Sequence, residues 1–274
     1  MIRRPFVYVL LASLVPLASC DLADFGDASR FQEDFHQSLP MKAGGRLYLE
    51  TFNGAVDVSG WDRDEADITA TKYASTQNAV DALKIDVAAS GDSIRIRSIR
   101  PSERWGNMGV RYTIRVPRKT TLERIQTSNG AIDVSNLEAP ARLTTSNGAV
   151  RADNVQGGLE ASTSNGSIRA LTSGPNDGRS LRLSTSNGSV ELTVDKLGVG
   201  GAVVHTSNGS ITVNLPGSAS VDVDASTSNA RITNDFEDAF RGRADKRRLD
   251  GSIGSGGPKL ELSTSNGSIR LRKR

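Results

Sequence analysis

"TTSNGAV", residues 144–150, returns along the chain in almost the same letters. Its core recurs as Thr127-Ser-Asn-Gly, Thr163-Ser-Asn-Gly, Thr185-Ser-Asn-Gly, Thr206-Ser-Asn-Gly and Thr264-Ser-Asn-Gly. Thr51-Phe-Asn-Gly is a degenerate copy, and Thr227-Ser-Asn-Ala ends in Ala230. From Thr127 the threonines step by 18, 18, 22, 21, 21 and 37 residues. A catalytic motif is needed once. A motif copied at a period of about 20 points to a stacked array.

The flanks repeat as well. Two residues before each Thr stand Ile125, Leu143, Ala161, Leu183, Val204 and Leu262; two after each Gly stand Ile132, Val150, Ile168, Val190, Ile211 and Ile269. Polar residues alternate with them on both arms, the period of a strand with one face buried. Each repeat therefore reads as strand, sharp corner, strand. The expected fold is all-β: a β-solenoid of coils about 18–22 residues long with Thr-Ser-Asn-Gly corners. An antiparallel hairpin meander or propeller is the alternative, because Asn-Gly is also a hairpin signal through its tolerance of positive φ. The near identity of the copies favours stacking, which sets Asn on Asn as a ladder.

The structural residues of this reading are the corners Asn53, Gly54, Asn129, Gly130, Asn147, Gly148, Asn165, Gly166, Asn187, Gly188, Asn208, Gly209, Asn229, Asn266 and Gly267. Asn turns the corner and ties coil to coil. Gly avoids a Cβ clash in the turn. Thr fills an inward position just before the bend. Burial of the ladder would make each Asn worth about 1–3 kcal/mol.

The composition agrees. Of 274 residues, 36% are hydrophobic and 5% aromatic, with 27 Gly, which suits thin Leu/Ile/Val layers and tight turns. The opening "MIRRPFVYVLLASLVPLASC" has Arg3 and Arg4, an apolar run from Phe6 to Leu17, then small residues. That is the layout of a signal peptide, too short for a comfortable membrane span. Leu17-Ala18-Ser19-Cys20 looks like the lipobox of bacterial lipoproteins, in which the Cys is lipidated and becomes the first mature residue. Cys20 is the single cysteine of the chain and has no internal disulfide partner. Loss of residues 1–19 removes two arginines and no acid, so the formal charge of +3 becomes +1. The expected organisation is signal peptide 1–19, lipidated Cys and tether 20–30, a β-rich N-terminal part of the solenoid 31–126, and regular repeats 127–274 with an excursion at about 234–258.

The segments "GRLYLETFNGAVDVSGWD", "YTIRVPRKTTLERIQTSNG", the run of Thr-Ser-Asn-Gly copies and "LELSTSNGSIRLRK" resemble a bacterial β-strand-repeat family of candidate adhesins, a domain of unknown function. The resemblance covers roughly residues 31–273. It implies a β-helical fold on the outer side of a membrane, often with a lipoprotein or membrane anchor, and no known ligand.

Few residues suggest chemistry. The two histidines, His36 and His205, are far apart in sequence, and with Cys20 they fit no standard zinc spacing. Ser186 and Ser207 have no His and Asp at motif spacing. Asp133, Asp153 and Glu191 share an expected outer face, as a glycosidase pair would, but Arg151 and Arg169 share it too, which favours cross-strand charge pairs. Two basic clusters, Arg241–Arg248 and Arg270–Arg274, suit an anionic polymer or a solvated cap. No aromatic platform accompanies them, and an exported chain does not suit nucleic acid. No cofactor or metal is expected, and the chain is read as non-enzymatic. The expected function is a membrane-anchored envelope lipoprotein with a binding, adhesin-like or scaffolding surface. Its expected partners are the membrane, through the lipid anchor, and an envelope polysaccharide or envelope protein; oligomeric state is left open. The alternatives are a glycan-active enzyme on a β-helix and an envelope-stress or signalling accessory acting through a protein partner.

Overall fold

The computed structural model describes residues 31–102, 106–172 and 178–274. The strands form in chain order. First come β1 (Phe31–Pro40), β2 (Arg46–Glu50), β3 (Val56–Trp61), β4 (Glu65–Ala74), the short helix α1 (Gln77–Ala82), β5 (Lys84–Ser90), β6 (Ser93–Ile99) and β7 (Met108–Pro117). The repeats follow as pairs around a corner: β8 (Thr121–Thr127) with β9 (Ile132–Leu137), β10 (Ala141–Thr145) with β11 (Val150–Val155), and β12 (Leu159–Thr163) with β13 (Ile168–Thr172). Next are β14 (Leu181–Thr185) with β15 (Val190–Val194), β16 (Ala202–Thr206) with β17 (Ile211–Leu215), and β18 (Val221–Thr227) with β19 (Ile232–Asn234). The last are β20 (Phe240–Ala244), β21 (Arg248–Ile253), β22 (Lys259–Thr264) and β23 (Ile269–Lys273).

Each corner carries the chain from one sheet to the other. The strands before the corners stack as one sheet and those after it as a second, and like strands pair in parallel. The repeats are coils of a β-solenoid, not hairpins. The inward residues seen in the sequence alternation are buried, from Ile125 and Ile132 through Leu183 and Val190 to Leu262 and Ile269. The core is a thin two-sheet filling of Leu, Ile, Val and Ala. With 11 and 12 strands in the two sheets, the rod is about 50 Å long at the usual strand spacing.

Chain order and stacking order part at both ends. The coil of β2 and β3 sits between that of β6 and β7 and that of β8 and β9. The last coil, β22 with β23, enters between β16/β17 and β18/β19, so the chain skips a level and returns to fill it. The stretch expected as an excursion forms a 3-10 turn (Glu237–Ala239) and the antiparallel hairpin of β20 and β21, which extends the first sheet past β18. At the other end β4 and β1 add antiparallel strands to the second sheet, and β5 adds one to the first. The short helix α1 is started by Thr76, whose hydroxyl accepts from the Ala79 N–H at 3.3 Å.

Candidate functional site

The corner residues come together as one edge of the rod. Each Asn donates its Nδ2 to the Oδ1 of the Asn one level below, in the order Asn53, Asn129, Asn147, Asn165, Asn187, Asn208, Asn266 and Asn229. These bonds are 2.7 to 2.8 Å long, and Asn53 closes the foot of the ladder on the Met108 carbonyl at 2.9 Å. The ladder follows stacking order rather than chain order: Asn266 comes before Asn229. Its amides are surface groups, and Asn53 alone among them is half-buried. Their worth therefore falls at or below the ordinary net value of about 1 kcal/mol per bond, not at the buried value.

The buried polar contact at the corner belongs to Thr. Thr127, Thr145, Thr163, Thr185, Thr206, Thr264 and Thr227 each donate Oγ1 to a Gly carbonyl of the coil below, at 2.9 to 3.2 Å. Thr51 lies at the foot of this column, and the coil beneath it has no Asn-Gly corner. Its buried hydroxyl is without a partner.

Gly has a different reason from the one read in the sequence. Among the ladder corners, Gly54 alone has a positive φ, at 120°. At Gly130, Gly148, Gly166, Gly188, Gly209 and Gly267 an added Cβ would lie 1.7 to 2.0 Å from the carbonyl oxygen of the Gly below. The glycines are required by the approach of one coil to the next. Ala230 falls in the coil whose second strand, β19, is only three residues long.

A second, shorter ladder stands apart from the first. At the opposite corner Asn136 and Asn154 adopt φ of 57° and 54°, and Asn154 Nδ2 donates to Asn136 Oδ1 at 3.0 Å. Its signal was present in the Asn shared by "SNLEAP" and "DNVQGG", seven residues past each corner Asn.

The outer faces are straight rows of polar side chains. On the second sheet Asp57, Asp133, Arg151, Arg169, Glu191, Thr212, Arg270 and Thr233 follow one another in register. Arg151 pairs with Asp133 at 3.0 Å and Arg169 with Glu191 at 3.7 Å. Asp153 stands in the neighbouring row, opposite Ser135 and Leu171. The three candidate carboxylates are thus split between rows, two of them held by arginines. At the end of the charged row, Asp57 is held above the ordinary carboxylate range, first by burial and then by the charge of Asp133.

His205 lies between Ser184 and Ser263 and shares a hydrogen bond with the Ser263 hydroxyl at 2.9 Å. His36 lies on β1, where its Nε2 meets Asp67 Oδ1 at 2.6 Å; Ser38 donates to the same oxygen at 3.0 Å. Both contacts converge on the carboxylate, so the imidazole does not bridge to the hydroxyl as a catalytic base would. Ser186 is exposed and Ser207 half-buried.

Among the described residues no group of His, Cys, Asp and Glu has the clustering of a metal site, and no helix is long and apolar enough to cross a membrane. A recess of about 670 Å³ lies at the corner opposite the Asn ladder, against Val194, Leu197, Leu215, Val221 and Pro258. Arg241 and Arg243 lie on the hairpin edge. There the Asp245 carboxyl accepts the backbone N–H groups of Arg247 and Arg248, which hold it below its ordinary range. Arg270 and Arg272 lie on the outer face of the other sheet, and Arg274 pairs with Asp195. Cys20 lies outside the described residues.

This two-sheet solenoid chain matches a known family profile over residues 38–272, described as Toastrack DUF4097. The chain belongs to the Toastrack DUF4097 family. Solved structures similar to this Toastrack chain include a candidate cell adhesion protein from Clostridium sporogenes, at 13% identity and a TM-score of 0.39, covering 88% of this chain and 100% of that one. A candidate adhesin from Parabacteroides merdae is 11% identical with a TM-score of 0.42, covering 87% and 96%. A candidate lipid-binding protein from Parabacteroides distasonis is 14% identical with a TM-score of 0.38, covering 89% and 98%. No curated protein matches the chain.

Two outcomes follow from the corner and the charged row. Thr163→Val leaves the Gly148 carbonyl without its buried donor and costs about 1–2 kcal/mol in denaturant unfolding, whereas Thr51→Val removes an unpartnered hydroxyl and is neutral or stabilising. Equal losses at the two positions would contradict the column. For Asp57, the raised folded value means that the ionised carboxylate opposes folding above the carboxylate range, and that protonation relieves the cost as pH falls through it. Asp57→Asn therefore raises the melting temperature at pH 7, and the gain disappears in acid; a gain that persists unchanged at acid pH contradicts this.

Proposed function

We propose that this chain is a bacterial envelope lipoprotein, anchored through acylated Cys20, whose solenoid is a non-catalytic binding or scaffolding surface. The observation that carries the reading is the regularity of the outer surface. Nearly identical coils repeat at about 4.8 Å and set amide, hydroxyl and guanidinium groups in straight rows along a rod of about 50 Å. Such rows suit an extended polymer or the flat surface of a partner protein better than one small molecule.

The anchor reading is supported by Leu17-Ala18-Ser19-Cys20 and by the single cysteine of the chain. Two or more acyl chains hold a protein stably at a bilayer, where one holds it only marginally. From Cys20 to Phe31 a fully extended tether reaches at most about 35–40 Å. The rod then stands within one rod-length of the membrane. The arginine–carboxylate pairs at Asp133 and Glu191 favour a binding face over a pair of catalytic carboxylates.

The test uses the chain begun at Asp21, incubated with envelope polysaccharides and whole-envelope fractions, with bound material and released products read by mass spectrometry. Retention of a glycan with unchanged chains is the expected result. New reducing or unsaturated ends would overturn the non-catalytic reading in favour of a glycan-active enzyme. Capture of one specific envelope protein in crosslinking, with no glycan retained, would favour the signalling accessory.

A further inference from the structure

We propose that the N-terminal end of the rod is a self-association surface, where β1 pairs antiparallel with β1 of a second copy. The two sheets end unequally there. The second sheet runs on through β4 to β1, while the first stops at β5, one strand earlier. Hence β1 is the outermost strand of that end. It is ten residues long and, among the described residues, hydrogen-bonded on one side only, to β4. Its core-side residues Phe35 and Leu39 are half-buried, and Phe31 is 38% exposed. A long open edge with apolar residues invites another strand.

The sequence of β1 complements itself. The register of β1 on β4 puts Phe31, Phe35 and Leu39 on the core side, opposite Ala74, Ala70 and Ala66, and puts Asp34 and His36 on the outer side. In an antiparallel pair that keeps inner face with inner face, a twofold axis at Phe35 sets Phe35 against Phe35 of the second copy. Phe31 then meets Leu39, Glu33 meets Gln37, and Gln32 meets Ser38. On the outer face Asp34 stands opposite His36 of the second copy, twice over. No like charges meet, and Pro40, which has no N–H to give, falls just outside the pairing. His36 keeps its Nε2 on Asp67, which leaves Nδ1 toward Asp34 of the second copy.

The other edges lack this fit. β19 has three residues, too few to build on. Antiparallel pairing of β20 with itself about Gly242 would set Arg241 against Arg243, a like-charge contact on both sides of the axis. β5 is set back by one strand behind β1. One end of the rod is therefore guarded against its own kind, and the other is suited to it. The isologous contact closes on itself, giving a dimer and no filament. On the lipid-anchored reading, both tethers leave near the joint, with the two Phe31 residues about 25–30 Å apart. The doubled rod then lies along the membrane rather than standing on it.

Every described strand pairing falls within residues 31–274, so forms begun at Asp21 and at Phe31 both keep the whole stack. The chain begun at Asp21 contains no cysteine. Sedimentation equilibrium at micromolar concentrations is expected to show a dimer for both forms. Asp34→Lys, which replaces the carboxylate facing the His36 ring of the second copy with an ammonium that cannot accept its N–H, weakens it by about tenfold or more with the circular dichroism spectrum unchanged. Phe35→Cys is expected to form an intermolecular disulfide under mild oxidation. Gln37→Cys, out of register with itself, is not. Monomer in both forms overturns the proposal. A dimer that appears only when residues 21–30 are removed also overturns it, by assigning the end to the chain's own leader. A dimer that crosslinks equally well at both cysteines, or only through Gln37→Cys, overturns the pairing.

Discussion

The structure depends on how closely one corner can sit on the next. At the six levels from Gly130 to Gly267 the backbone passes so near the Gly carbonyl below that any Cβ would overlap it. That approach lets Thr Oγ1 reach the same carbonyl from inside and the Asn amide reach its neighbour from outside. Three contacts thus converge on one short segment: a backbone contact only Gly permits, a buried hydroxyl bond, and a surface amide ladder. The in-register parallel sheets follow, because corners held at strand spacing keep strands of successive coils aligned. The straight polar rows on the outside follow from the same register.

The ends show what the corner cannot supply. A stack made only of identical coils would leave two open pairs of edges. Here the terminal coils are interleaved out of chain order, and three of the four sheet edges, β1, β5 and β20, are antiparallel strands that carry no Thr-Ser-Asn-Gly corner, the fourth being the three-residue β19. The partnerless Thr51 hydroxyl marks where the repeated chemistry stops. Inserting β22 and β23 between earlier coils fixes the tail inside the stack, flanked on both sides, so the last strands are not free to fray.

Much of this was legible in the sequence because period and alternation are local signals. The spacing of Thr, Asn and Gly, with apolar residues two away on either side, specified strand, corner, strand and the inward positions from Ile125 to Leu271. The choice between stacked coils and hairpins rested on the likeness of the copies. What stayed hidden was relational. The need for Gly comes from the carbonyl of another coil, 18 to 76 residues away in sequence, not from the φ of the turn itself. The exposure of the Asn ladder depends on how far the corner projects. The order of the last two levels could not be read from copies so similar that each fits on any other. The partner of His36, Asp67, lies on a strand whose antiparallel return breaks the repeat. For the site, the mixed stripe of Arg151, Arg169 and carboxylates was readable as charge pairs, whereas the second Asn pair at 136 and 154 was present in the letters and passed over.

The central claim is that corner glycines are demanded by inter-coil approach rather than by the turn. Thermal and denaturant unfolding of Gly166→Ala beside Asn165→Ala tests it directly. An Ala in the turn alone would cost little at Gly166, whose φ is not positive. The contact account places the new Cβ 1.9 Å from the Gly148 carbonyl oxygen. It predicts a loss above about 3–4 kcal/mol for Gly166→Ala, against about 1 kcal/mol or less for Asn165→Ala. Comparable small losses for both, or a larger loss at Asn165, would contradict it.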